Sequence, residues 1–252
     1  ETNFFSEHPH DWQQNLGTYH DCFPKASVRG EASVTYTYFP EFPHVPANLH
    51  RYNPALKLVY VMRDPVQRFR SQYEFDRVRG RITVAPEQVF SSAAQVINRG
   101  RYGVQLRQFE RFFPRDQIHL VLFEELVSDP ATELERLYAF LGVDTAPAAD
   151  PDFGHVNGTT RQKYLHPRFR RLEGATWTKQ LRKAMPQSLR TTLRTAMSRG
   201  SQGKPTLDED TEQAIRALVA DDVAYVEDWL GRPLWDGAYT GAPRTDAPGQ
   251  RV

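Results

Sequence analysis

The spacing of apolar and polar positions changes several times along this chain, and each change marks an element. Lys57-Leu58-Val59-Tyr60-Val61-Met62 is a short apolar run rich in β-branched residues that stops at Arg63-Asp64-Pro65. Such a run, bounded by a turn signal, predicts a buried strand. Asp64 suits the N-cap and Pro65 the first helical position, so a helix is expected from there through Tyr73. A second strand is expected over Gln117–Phe123. The helix before it, from about Tyr102 to Phe113, carries Val104, Leu106, Phe109, Phe112 and Phe113 at roughly helical spacing. Asp129-Pro130 opens another helix through Leu134, Leu137, Phe140 and Leu141, which Gly142 stops. A third, weaker strand is read near Ser33–Tyr36.

Strands that alternate with helices argue for an α/β fold, with a mainly parallel central sheet and flanking helices. Thr145 to Pro151 reads as a loop. Residues 160–205 are basic and poor in large aliphatics, which predicts short helices and connections. Helical periodicity returns from Leu207 to Leu230, with a break expected near Asp221. Residues 1–236 read as a single domain and 237–252 as a disordered tail.

The 252 residues suffice for one large α/β domain. Thirty-two basic residues against 31 acidic ones leave no global field to draw nucleic acid or an anionic membrane, so any anion site must be local. Cys22 is the only cysteine, which excludes an intrachain disulfide and leans toward a cytoplasmic, bacterial setting. No apolar run approaches the ~20 residues that span a bilayer. His8, His10, His20 and Asp21 match no metal-ligand spacing, and no metal is expected. The chain opens Glu1-Thr2-Asn3 with neither a starting Met nor a signal-peptide pattern, so an upstream segment is expected to be missing.

The turn after the first strand is the sharpest chemical signal. A strand that runs into a helix N-terminus presents free N–H groups and the positive end of a dipole, which suits a phosphate. Arg63 stands at the strand's C-terminal edge, where α/β folds bind ligands. Ser71 follows about two helical turns on and adds a hydroxyl donor. A guanidinium with a hydroxyl suits a phosphate monoester. The plainer alternative is a capped helix start with Ser71 on the surface.

Val61-Met62-Arg63-Asp64-Pro65-Val66-Gln67-Arg68-Phe69-Arg70-Ser71-Gln72-Tyr73 resembles the 3′-phosphate-binding motif of sulfotransferases that use PAPS (3′-phosphoadenosine-5′-phosphosulfate), including its eight-residue Arg-to-Ser spacing. Gly30-Glu31-Ala32-Ser33-Val34-Thr35-Tyr36 resembles that family's Glu-(Lys/Ala)-Ser-Pro-x-Tyr segment, with Val34 where Pro is expected. Glu1-Thr2-Asn3-Phe4-Phe5 is similar to its Lys-Glu-x-x-Phe-Phe run. Phe123 to Pro130, Phe140-Leu141-Gly142-Val143 and Leu230-Gly231-Arg232-Pro233-Leu234 are similar to further stretches that shape the fold. Thr160 to Pro167 is weakly similar to the basic loop that closes over the donor.

The resemblance implies an architecture like that of P-loop nucleotide hydrolases and sulfuryl transfer from PAPS, with PAP as product, to a hydroxyl or amine of a carbohydrate or other small molecule. It implies Arg63 and Ser71 on the 3′-phosphate and Glu31 as general base, since an acceptor hydroxyl attacks poorly until its proton is taken. A Glu at a strand edge is otherwise a solvated charge, and both readings stand. Arg161 and Lys163 are implied on the donor phosphates, or they belong to a solvated loop. The family's first strand and its Lys-x-Gly-Thr phosphosulfate loop are expected before residue 1. One rival is a nucleotide-kinase-like phosphotransferase, which needs Mg²⁺-binding carboxylates that are not evident. The other is a non-catalytic nucleotide- or carbohydrate-binding module, which an upstream Lys-x-Gly-Thr loop would argue against.

Overall fold

The computed structural model describes residues 1–78, 81–92, 94–146, 164–165, 198–199 and 207–239. The chain divides into two compact units. One holds Glu1–Pro65, Ile97–Asp152 and Gln213–Val252, and the other holds Val66–Val96 and Phe153–Glu212.

The first unit begins with α1 (Phe4–Glu7) and α2 (Leu16–His20), followed by a 3₁₀ turn at Val34–Thr37, α3 (Val45–Tyr52) and β1 (Leu58–Met62). Next along the chain come α4 (Pro65–Val78), α5 (Pro86–Ser92), α6 (Ala94–Asn98) and α7 (Tyr102–Glu110). Then follow β2 (Ile118–Leu122), α8 (Phe123–Ser128) and α9 (Pro130–Leu141). The two-residue strands β3 (Tyr164–Leu165) and β4 (Ser198–Arg199) pair antiparallel, and α10 (Glu209–Leu230) precedes a last 3₁₀ turn at Trp235–Gly237.

β1 and β2 pair in parallel, Leu58 opposite Ile118 and Met62 opposite Leu122, as the strand and helix alternation predicts. A parallel pair needs a crossover, and the helices between the two strands supply it. Phe4, Phe5, Trp12, Tyr19, Met62, Tyr102, Leu106 and Phe113 are buried in one core with Val226 and Leu234. α9 starts and stops where its residues require. The Asp129 carboxylate accepts from Thr132 N–H at 3.2 Å, Pro130 sits in the first turn, and Gly142 ends the helix at φ 76° in the left-handed region.

Two expectations are corrected. The strand read near Ser33–Tyr36 is a 3₁₀ turn over Val34–Thr37. Its side chains are tied to the N-terminal segment: Thr35 Oγ1 donates to Asn3 Oδ1 at 2.9 Å and Tyr36 OH accepts from Phe5 N–H at 3.2 Å. β-branched residues favour a strand only where a neighbouring strand offers pairing, and these hydrogen bonds lead elsewhere. The break expected near Asp221 is absent, because α10 is one helix. Asp222 is 2% exposed yet compensated. It accepts from Arg101 Nε at 2.7 Å and from Val104 N–H at 2.9 Å.

Tyr239 is buried, although composition assigns it to the tail. Residues 240–252 and most of the basic stretch 160–205, including Arg161 and Lys163, lie outside the described residues. In the second unit, Val66, Phe69 and Tyr73 of α4 are buried, as are Val89 and Val96. Tyr73 OH donates to the Val84 carbonyl at 2.8 Å, and Arg70 pairs with Glu212. No helix among the described residues is long and apolar enough to cross a membrane.

Candidate active site

β1 delivers Arg63 and Asp64 to the turn before α4, and several side chains hold that turn. Tyr102, the first residue of α7, is 2% exposed. Its hydroxyl accepts from Arg63 N–H at 3.1 Å and donates to the Arg63 carbonyl at 2.7 Å. One phenol therefore satisfies both main-chain groups of a residue that has left the sheet ladder, where such groups need new partners. Asp64 N–H donates to Glu124 Oε1 at 3.0 Å, and Tyr239 OH donates to Asp64 Oδ2 at 2.8 Å. With its backbone fixed, Arg63 lays its guanidinium over the Phe123 ring, 5.0 Å from the centroid. Among the described residues no carboxylate pairs with it. A cation on an aromatic face keeps its hydrogen-bond donors for an anion.

Ser71 is a partly exposed residue of α4 and belongs to the second unit, whereas Arg63 belongs to the first. Glu31 sits partly buried before the 3₁₀ turn. Its two oxygens accept hydrogen bonds from the hydroxyls of Thr2 and Tyr36. Burial, and then the hydrogen bond to Glu31, push the Tyr36 phenol above its ordinary range. Burial, and then the Glu31 charge, do the same to Tyr19. Both phenols therefore stay protonated, and Tyr36 is a dependable donor to the carboxylate. A carboxylate offers about four lone-pair sites, so these two hydroxyls leave it room for an acceptor's proton.

The other candidates fall out simply. Trp12 and Tyr19 are buried in the core, and Tyr19 lies close enough to Glu31 to feel its charge. His20 is exposed, with Nε2 3.1 Å from Tyr52 OH. Cys22 is exposed as well. His8 lies 3.2 Å from an Asp11 carboxylate oxygen, and no cluster of potential metal ligands occurs among the described residues. Sequence reasoning missed Tyr102, Glu124, Trp235 and Tyr239. The first two stood in view, one at a helix start and one in a family-like stretch, but nothing local announced that they face Arg63 and Asp64.

A family model described as a sulfotransferase domain matches residues 37–201, more than half of the chain. The chain belongs to the sulfotransferase-domain family. The match takes in Arg63, Ser71, Arg161 and Lys163 and begins after Glu31. The mouse heparan sulfate glucosamine 3-O-sulfotransferase 3B1 is 31% identical over 156 residues, which cover 57% of this chain and 38% of the relative. The human heparan sulfate glucosamine 3-O-sulfotransferase 6 is 30% identical over 145 residues, 52% of this chain and 41% of the relative. A bifunctional heparan sulfate N-deacetylase/N-sulfotransferase from Drosophila melanogaster is 23% identical over 171 residues, 57% of this chain and 16% of its own length. The matches thus span about two fifths or less of these relatives. A sulfotransferase from Alicyclobacillus acidocaldarius shares the fold, with a TM-score of 0.57, 22% identity, and coverage of 92% of this chain and 83% of that one.

Proposed function

We propose that this domain transfers a sulfuryl group from PAPS to a hydroxyl or amine of a carbohydrate that contains an amino sugar. The observation that carries the donor reading is Arg63. It is a cation at the C-terminal edge of a parallel strand, free of acidic partners among the described residues, in a turn whose Arg63 N–H and carbonyl and Asp64 N–H are all hydrogen-bonded. Such a group gives a phosphate two parallel charge-assisted hydrogen bonds. Ser71, eight residues later, supplies a hydroxyl, and Arg161 and Lys163 supply further charge on the donor phosphates. Together they distinguish a nucleotide with a 3′-phosphate from one without. The acceptor class rests on the names of the relatives, which act on heparan sulfate glucosamine.

In the reaction, the acceptor oxygen or nitrogen attacks sulfur as the bond from sulfur to the 5′-phosphate oxygen breaks, and PAP leaves. Glu31 takes the proton that the acceptor loses. Fixed positive charge at the donor stabilises the charge that spreads over the transferring group. No metal has a role in this scheme.

Calorimetry of the full chain with PAP and with 5′-AMP tests the donor site. PAP is expected to bind at least about tenfold tighter, the equivalent of one charge-assisted contact. Equal affinities would overturn the assignment of Arg63 and Ser71. Transfer of label from PAPS to glucosamine-containing oligosaccharides, with phenols and peptides as controls, tests the acceptor class. Preference for a phenol over every saccharide would overturn it.

A further inference from the structure

The residues that close the described chain bear on the donor turn. After α10 the backbone enters the left-handed region at three successive residues, Trp235 at φ 48°, Asp236 at φ 56° and Gly237 at φ 68°. Two of these are not glycine, and such strain persists only where the surroundings over-determine it. Here they do. Leu234 is 1% exposed, and its N–H donates to Glu227 Oε1 at 2.8 Å. Trp235 Nε1–H donates to Glu124 Oε2 at 3.3 Å, and its ring lies 6.3 Å from Tyr102 and 5.7 Å from Tyr239. Tyr239 is 4% exposed and spends its hydroxyl on Asp64.

The two aromatic residues therefore reach the turn by two routes. Trp235 fixes the Glu124 carboxylate, whose other oxygen takes the Asp64 N–H. Tyr239 fixes the Asp64 side chain directly. With Tyr102 gripping Arg63, every main-chain or side-chain handle just named on Arg63-Asp64 ends on one connected aromatic and carboxylate group. A core that merely needed filling would not require both strained residues and three aimed polar groups.

We infer that Trp235 and Tyr239 are positioning residues for donor binding: they hold the Arg63-Asp64 turn so that the Arg63 guanidinium meets the donor phosphate. The inference rests on the donor reading above. It makes the C-terminal 3₁₀ turn a working part of the site rather than the start of a tail.

Tyr239→Phe and Trp235→Phe each keep a ring and remove one donor. PAP affinity and thermal melting are measured for each, alone and combined with Arg63→Ala. Each single variant is expected to weaken PAP about five- to tenfold, a loss on the scale of one ordinary hydrogen bond. Combined with Arg63→Ala, neither should weaken PAP further, since each acts through Arg63. The melting shift should be the same in both backgrounds. Unchanged PAP affinity in both single variants beside a weakened Arg63→Ala overturns the inference alone. So does an equal loss with and without Arg63, which would mark a general effect on the fold. An Arg63→Ala variant that binds PAP as wild type does overturns the donor reading and this inference with it.

Discussion

Replacing Tyr102 by Phe removes one oxygen and leaves the ring. The ring sits 5.8 Å from Tyr60 and 6.3 Å from Trp235, and Phe keeps both contacts. Two hydrogen bonds are lost: the one accepted from Arg63 N–H at 3.1 Å and the one donated to the Arg63 carbonyl at 2.7 Å. A hydrogen bond contributes about 1 kcal/mol net, and more where a buried partner is left without a substitute. Arg63 is only partly buried, so water can reach part of the vacated position. The sum is about 2 kcal/mol. For a domain of this size, each kcal/mol lowers the melting temperature by about 2–4 °C, so a fall of about 4–8 °C is expected. Arg63 should also lose its fixed backbone, and PAP should bind about tenfold more weakly. Melting followed by circular dichroism and calorimetry with PAP read the two effects separately. A variant that melts within about 1 °C of wild type and binds PAP equally well would refute the argument that this phenol anchors the donor turn.

Gly103→Ala should destabilise the fold. The added Cβ would lie 2.9 Å from Asp222 Cα and 3.1 Å from its carbonyl oxygen, backbone atoms that cannot swing away. The overpacking of ~1–3 kcal/mol outweighs the gain of about 1 kcal/mol from removing a helical glycine, and urea unfolding will show it as a lower midpoint. His119 has a buried Nε2 with no hydrogen-bond partner among the described residues. Burial holds its imidazole below the ordinary 6.5, Glu133 opposes the shift and Arg136 adds to it. As pH falls through 6.5 the unfolded chain takes a proton that the folded one resists, so stability is lost on the acid side. His119→Gln should flatten the fall of melting temperature below pH 6.5 and leave the neutral value nearly unchanged. Glu31→Gln should cut turnover roughly 10²–10⁴-fold with PAP affinity unchanged. Near-normal turnover would dismiss Glu31 as the base, and joint loss of PAP binding and melting temperature would make it a structural residue.

What was legible in this chain depended on the reach of the interaction involved. β1, the turn at Pro65 and both ends of α9 follow from residues within a turn of one another: a β-branched run, a proline where a missing N–H costs nothing, an Asp cap and a left-handed glycine. The strand expected at Ser33–Tyr36 and the break expected near Asp221 both fail because the deciding partners lie far off in sequence. The hydroxyl of Thr35 finds Asn3 at a separation of 32 residues, and the Asp222 carboxylate finds Arg101 at 121. The Asp221-Asp222 pair in a helix reads as a weakness, and only the distant Arg101 turns Asp222 into a tie. The candidate site divides along the same line. Arg63, which the family motif marks, could be named at once. Tyr102, Glu124 and Tyr239, which give it a fixed backbone, stand 39, 60 and 175 residues from the turn they hold. A group that must touch the donor is constrained in type and spacing, so it leaves a readable motif. A group that aims it is constrained only by where the fold brings it, so a phenol or carboxylate from any element will serve and no local pattern is left behind.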